Sequence, residues 1–122
     1  MVFAPFSFSP SSAGNNLAQT SVKIRQHTDN PYRDPFPGVQ LLHCLENAAE
    51  GGATTFCDGF AAAETLRKTN PRSFEILATV DHPFEYRDPT QHCLLRTEVP
   101  VLSLGYDGKV KRVTFNNRSA AR

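Results

Sequence analysis

Two residues in the stretch RQHTDNPYRDPFPGVQLLHC have the types and the spacing of metal ligands: His27 and Asp29, separated by Thr28. Side chains of an extended strand alternate between faces, so positions i and i+2 project the same way and an H-x-D run presents an imidazole and a carboxylate side by side. Together they can hold one edge of a metal ion. A further histidine, giving two imidazoles and one carboxylate on one face, would leave positions open for a cosubstrate and oxygen, as in non-haem iron(II) oxygenases. H-x-D also arises by chance, so the spacing by itself leaves a polar loop as an open alternative.

The elements that must position this pair come from a chain of 122 residues, enough for one domain with a single core. With 39% hydrophobic and 20% charged residues the composition is globular, and no long apolar run or block of like charge appears. A formal net charge of +1 with acids and bases interspersed leaves no basic footprint for nucleic acid and no membrane segment, so a small-molecule ligand is the expected partner. Cys44, Cys57 and Cys93 are odd in number and contain no C-x-x-C pair, which argues against a disulfide framework and a zinc ribbon. They are expected to be buried or half-buried thiols in a reducing, cytoplasmic setting. The opening MVFAPFSFSPSSAG lacks a basic start and is broken by prolines, so residues 1–14 read as a ragged N-terminal segment and not as a signal peptide.

Along the chain, Leu17 to His27 is strand-compatible, DPFPG breaks the ladder, and GVQLLHCL has the length and apolarity of a second strand. A short strand is expected around Thr55 to Cys57, with Asp58 as the N-cap of a helix over GFAAAETLRKT. Phe60, Ala63 and Leu66 recur at near-helical spacing there, and Glu64 and Lys68 stand one turn apart. Asn70-Pro71 then opens a second helix, PRSFEILATV. VPVLSLGYDGKVKRVTF places two alternating arms around Asp107-Gly108, a hairpin signal. The class expected is mainly β with a helical insert, α+β.

Several motifs in order, NNLA before the H-x-D pair, then PGVQLLHCL, Gly51-Gly52, DGF opening a helix and FNNRS after the hairpin, give the chain from about Asn15 onward a pattern that resembles the gamma-butyrobetaine dioxygenase group of 2-oxoglutarate-dependent oxygenases, which is TauD/TfdA-like. Trimethyllysine dioxygenases share much of it. The resemblance implies a double-stranded β-helix of jelly-roll type, here partial over residues 15–122. It also implies iron(II) as cofactor, 2-oxoglutarate as cosubstrate, a trimethylammonium substrate, and leaves a homodimer open for the full-length form. Residue by residue, His27 and Asp29 match the first two iron ligands, Leu42 a position lining the 2-oxoglutarate pocket, and Asn16 and Asn116 amides that hold the substrate carboxylate. An amide can donate to a carboxylate without adding charge beside the metal. Asn16 as an ordinary turn residue, Leu42 as plain core and Asn116 as a strand stop remain the alternatives.

Departures from that pattern are also specific. Gln19 stands where the butyrobetaine enzymes carry a tyrosine of their aromatic cage, and glutamine offers no face for cation–π attraction. Ala53 follows the two glycines where an acidic residue is common. The second metal histidine and the arginine for the far carboxylate of 2-oxoglutarate have no matching motif, so the chain is expected to be an internal fragment that does not turn over 2-oxoglutarate alone. A non-catalytic truncated domain is the competing expectation.

Overall fold

The computed structural model describes residues 24–43 and 53–121. Within them the order is helix α1 (Gly59–Thr69), helix α2 (Pro71–Thr79), then strands β1 (Asp81–Asp88), β2 (Cys93–Pro100), β3 (Leu102–Leu104) and β4 (Val110–Val113). The strands form two antiparallel ribbons, β1–β2 and β3–β4. The chain is thus mixed α and β, with small antiparallel sheets.

The helical pair follows its local signals closely. The Asp58 carboxylate accepts from the Phe60 and Ala61 N–H groups at 2.9 and 3.1 Å, satisfying donors that the first turn leaves without partners, a cap of about 1 kcal/mol. Asn70 ends one helix and starts the next: its N–H reaches the Leu66 carbonyl at 2.8 Å while its side-chain oxygen accepts from Ser73 N–H at 3.0 Å. Pro71 occupies the first helical position, where no N–H is needed. Glu64 pairs with Arg67, at 3.2 Å, and not with Lys68 as its spacing suggested. The reason is that Arg67 is already held toward the core. Its guanidinium lies 4.1 Å from the centre of the Phe74 ring and donates to the Gly108 carbonyl at 2.8 Å, joining both helices to the β3–β4 turn.

Ala63, Phe74 and Leu102 form the buried centre, with Leu66, Leu77, Val110 and Val113 packed around it. Gly59 is buried where α1 meets β4, and a Cβ there would stand 3.4 Å from the Val113 side chain, an ordinary contact. Phe60, by contrast, stays largely exposed. The β3–β4 hairpin is present, but its tip is wider than a two-residue Asp-Gly turn. Gly105 N–H bonds the Lys109 carbonyl at 2.8 Å, so Tyr106, Asp107 and Gly108 form the tip, and Gly108 takes the positive φ of 73° that glycine tolerates.

The longer ribbon was not anticipated from sequence. β1 and β2 pair over their full lengths, from Asp81↔Pro100 to Asp88↔Cys93. One Asp88 oxygen builds the turn, accepting from Thr90 N–H at 2.9 Å, Thr90 hydroxyl at 2.6 Å and Gln91 N–H at 3.2 Å. Residues 119–121 lie along β1, with Glu85 N–H bonded to the Ser119 carbonyl at 2.7 Å and Ala121 N–H to the Pro83 carbonyl at 2.9 Å.

Three expected strands are not found in the described residues. Residues 38–43 of GVQLLHCL are irregular, with Val39 and Leu41 more than four-fifths exposed. An apolar run becomes a strand only where a neighbour completes its ladder and covers its face, and neither is present among the described residues. Near residues 55–57 only Cys57 makes a single bridge, and in residues 24–27 only His27 does. Cys57 is exposed, not buried as expected, and Cys93 is half-buried; both are free thiols. Leu17, Cys44 and Gly51-Gly52 lie outside the described residues.

Candidate metal site

Ile24 and Thr28 are buried and anchor the extended run that carries the ligand pair. Gln26 donates to the Thr55 hydroxyl at 2.9 Å on one side. On the other, Thr28 spends every polar group it has on residues 115 and 116. Its N–H donates to the Phe115 carbonyl at 2.7 Å, its hydroxyl accepts from Phe115 N–H at 3.0 Å, and its carbonyl accepts from the Asn116 side-chain amide at 3.2 Å. With Thr28 committed inward, alternation sends His27 and Asp29 the other way together, and His27 Nε2 stands 3.1 Å from Asp29 Oδ1.

The chain then turns at Asn30, whose φ of 52° ends the extended run. The Tyr32 hydroxyl donates to Asn30 Oδ1 at 2.7 Å, and its ring stacks on Tyr86 of β1 at 5.1 Å between centres. The Pro31 carbonyl accepts from the Thr97 hydroxyl of β2 at 2.7 Å. The C-terminal end of the H-x-D run is therefore fastened to β1 and β2, its centre to the segment after β4, and its N-terminal end to Thr55.

Hydrogen bonding also fixes the imidazole tautomer. Nδ1 lies 2.7 Å from the Arg25 carbonyl, which can only accept, so Nδ1 carries a proton and Nε2 is the nitrogen turned to Asp29. The bond with Asp29, reinforced by the Arg25 carbonyl and opposed by burial, raises the His27 pKa above its ordinary value. The same bond, opposed by burial and aided by Gln40, lowers that of Asp29. At pH values between the lowered Asp29 pKa and the raised His27 pKa the pair is imidazolium and carboxylate. A raised His27 contributes stability below its ordinary pKa of about 6.5 that is lost as pH rises through the folded value, and a lowered Asp29 contributes above about 3.9 and is lost on acidification, so the pair is strongest between these limits.

These residues fit a divalent metal. Nε2 and Oδ1 converge on one point that a proton or a cation must occupy, because two bare acceptors at this distance repel. The donor set of one imidazole and one carboxylate suits iron(II), and a ligating histidine commonly gives its other N–H to a backbone carbonyl, as His27 does. Among the described residues no third His, Cys, Asp or Glu joins them.

The structure bonds Asn116 directly to this segment, whereas Leu42 makes no such bond. Asn116 is buried; besides its bond to Thr28, its side-chain oxygen accepts from the Arg118 and Ser119 N–H groups at 3.0 and 3.3 Å. Leu42 is 49% exposed on the irregular run, while Gln40, two residues earlier, bonds Asp29. Asn16 and Gln19 lie outside the described residues. Of the remaining histidines, His82 packs edge-on to Phe84 at 5.0 Å, and His43 and His92 are exposed. Thr28 and Gln40 were missed from sequence. A threonine between two ligands carries no sign that its hydroxyl meets a residue 87 positions away. Thr28→Val keeps the shape but strands the Phe115 N–H, and is expected to cost about 1–3 kcal/mol, read as a lower urea midpoint with an unchanged slope. A midpoint equal to that of the parent would show that the hydroxyl bond is immaterial.

Two antiparallel ribbons, one of them packed on two helices, with an imidazole and a carboxylate side by side, define an α+β chain. Residues 5–122 match the model of the family described as taurine catabolism dioxygenase TauD, TfdA family, and the chain belongs to that family. It is 41% identical over 100 residues to gamma-butyrobetaine dioxygenase of Pseudomonas sp. (strain AK-1), covering 82% of this chain and 26% of the relative. It is 36% identical over 108 residues to the human gamma-butyrobetaine dioxygenase, 84% of this chain and 27% of the relative. To trimethyllysine dioxygenase of Meyerozyma guilliermondii the figures are 34% over 104 residues, 84% and 26%. The chain thus spans about a quarter of the length of these relatives. No described helix is long and apolar enough to cross a membrane.

Proposed function

We propose that this chain contributes His27 and Asp29 as two ligands of an iron(II) centre in a 2-oxoglutarate-dependent hydroxylase of a trimethylammonium substrate, gamma-butyrobetaine first and trimethyllysine as the alternative. The observation that carries it is the convergence of His27 Nε2 and Asp29 Oδ1, 3.1 Å apart, with Nδ1 already committed to a backbone carbonyl. Iron(II) bound there would supply oxidative chemistry with dioxygen as the oxidant, one oxygen atom entering succinate as 2-oxoglutarate loses carbon dioxide and the other converting a substrate C–H to C–OH. The residues of this chain hold one face of the ion, keep the imidazole tautomer fixed, and fasten that face to β1, β2 and the segment after β4.

In this reading the ribbons are parts of a double-stranded β-helix over residues 15–122. Leu42 lines the 2-oxoglutarate pocket, and Asn16 and Asn116 present amides to the substrate carboxylate. The bond from Asn116 to Thr28 O supports its closeness to the ligands, and an amide nitrogen has a second N–H to offer. The free thiols of Cys57 and Cys93 support a reducing, cytoplasmic location.

The test is a chimera in which residues 5–122 replace the matching segment of the Pseudomonas enzyme. Iron(II)-dependent succinate formation is expected with gamma-butyrobetaine, and none after His27→Ala. A folded, metal-loaded chimera that forms no succinate with gamma-butyrobetaine or trimethyllysine would refute the proposal. Gln19→Tyr in the chimera is expected to raise preference for the trimethylammonium substrate by about 1 kcal/mol, the worth of one cation–π contact.

A further inference from the structure

Asn30 directly follows Asp29 and takes a φ of 52°, in the left-handed region that residues other than glycine rarely enter. It also precedes Pro31, and the proline ring pushes the residue before it toward extended backbone. Both preferences would straighten the chain beyond Asp29. A strained conformation of this kind persists only where its surroundings hold it from several sides, and such positions gather at functional sites.

Several contacts hold this one. The Tyr32 hydroxyl donates to Asn30 Oδ1 at 2.7 Å, and Arg33 N–H donates to the Asn30 carbonyl at 3.2 Å. The Pro31 side chain is fully buried, and its carbonyl accepts from the Thr97 hydroxyl at 2.7 Å. The Tyr32 ring lies on Tyr86 of β1, 5.1 Å between centres and 24° from parallel. With Pro31 fixed in the interior, relaxation of Asn30 is taken up on its N-terminal side, by turning the peptide that carries Asp29. The carboxylate has little slack there. Its Oδ1 stands 3.1 Å from His27 Nε2, and about 1 Å more takes it out of hydrogen-bond range.

We infer that Tyr32 is a positioning residue of the metal edge: its hydroxyl locks Asn30 in the left-handed turn, and its ring, seated on Tyr86, ties the aim of the Asp29 carboxylate to β1. This inference rests on the reading of His27 and Asp29 as metal ligands. Tyr32 acts through the backbone of Asn30 and not by contact with the ion.

The experiment titrates manganese(II) into the metal-free 122-residue chain, reads the free ion by its electron paramagnetic resonance signal, and records a nitrogen-15 spectrum of the His27 imidazole without metal. Tyr32→Phe keeps the stacked ring and loses the hydroxyl. It should weaken manganese binding roughly 3- to 10-fold, the worth of one neutral hydrogen bond, and move the Nε2 resonance as Asp29 turns away. Two changes at residue 30 separate the geometry of the turn from plain stability. Asn30→Ala and Asn30→Gly both remove the side-chain oxygen, but glycine accepts a positive φ without strain. Asn30→Ala should therefore weaken binding several-fold, while Asn30→Gly stays close to the parent and makes an added Tyr32→Phe nearly silent. If Tyr32→Phe fails to fold, the contrast between the two Asn30 variants decides by itself. The inference is overturned if Tyr32→Phe matches the parent in affinity and in the imidazole resonance, or if Asn30→Gly binds as weakly as Asn30→Ala. His27→Ala and Asp29→Ala in the same titration test the metal reading separately: if they bind as the parent does, that reading falls, and the metal-free imidazole spectrum still decides whether Tyr32 aims Asp29.

Discussion

Replacing His27 by alanine is expected to lower the affinity of the chain for a divalent metal by more than about 100-fold, beyond the 10- to 100-fold typical of losing an outer-sphere partner. Asp29→Ala should do the same, since either change leaves a single protein donor. The parent itself should bind weakly and exchangeably, because His27 and Asp29 fill only part of a coordination sphere. Titration of the metal-free chain and both variants under nitrogen measures it, and unchanged binding in the two variants would move the ligands elsewhere. The pH dependence has a definite sign. The metal competes with the proton that His27 shares with Asp29, and the His27 pKa is raised by that bond, so apparent affinity should climb as pH rises through that elevated value. A pH-independent affinity would separate metal binding from this pair.

The largest loss of stability is expected from Phe84→Ala. Phe84 is 1% exposed at the middle of β1, meets His82 edge-on and pairs with Ala120. Removing a ring from such a site costs about 3–5 kcal/mol, a large part of what holds a small domain together. Chemical unfolding followed by circular dichroism should show it, with early release of residues 119–121. A loss below about 1 kcal/mol would place Phe84 outside the cooperative core.

What was legible in the sequence was mostly local. Asp58 and Asn70 announce helix ends because a cap is a bargain struck within three residues, and both helices lie where the caps put them. The β3–β4 hairpin showed itself through glycine and alternation. The β1–β2 ribbon did not, since Pro83 inside the strand and a mixture of charges hide the period, and its turn depends on one aspartate side chain. GVQLLHCL misled in the other direction: apolarity marks a segment that needs covering, not the shape it takes. The ligand pair was legible through its spacing and through motif resemblance, whereas the bonds that aim it, from Thr28 to Phe115 and from Asp29 to Gln40, join positions no short window contains.

The clasp between Thr28 and Phe115 also sets an order of events. It closes a loop of 87 residues, against 29 for the Gln26–Thr55 bond on the other side of the same segment. Closing the longer loop costs roughly 1 kcal/mol more in chain entropy, so it must wait until the helices and ribbons have already drawn the ends together. During synthesis the histidine and aspartate precede Phe115 and cannot be aimed until it has followed. A nascent chain therefore does not set His27 and Asp29 together while most of its sheet is still unmade.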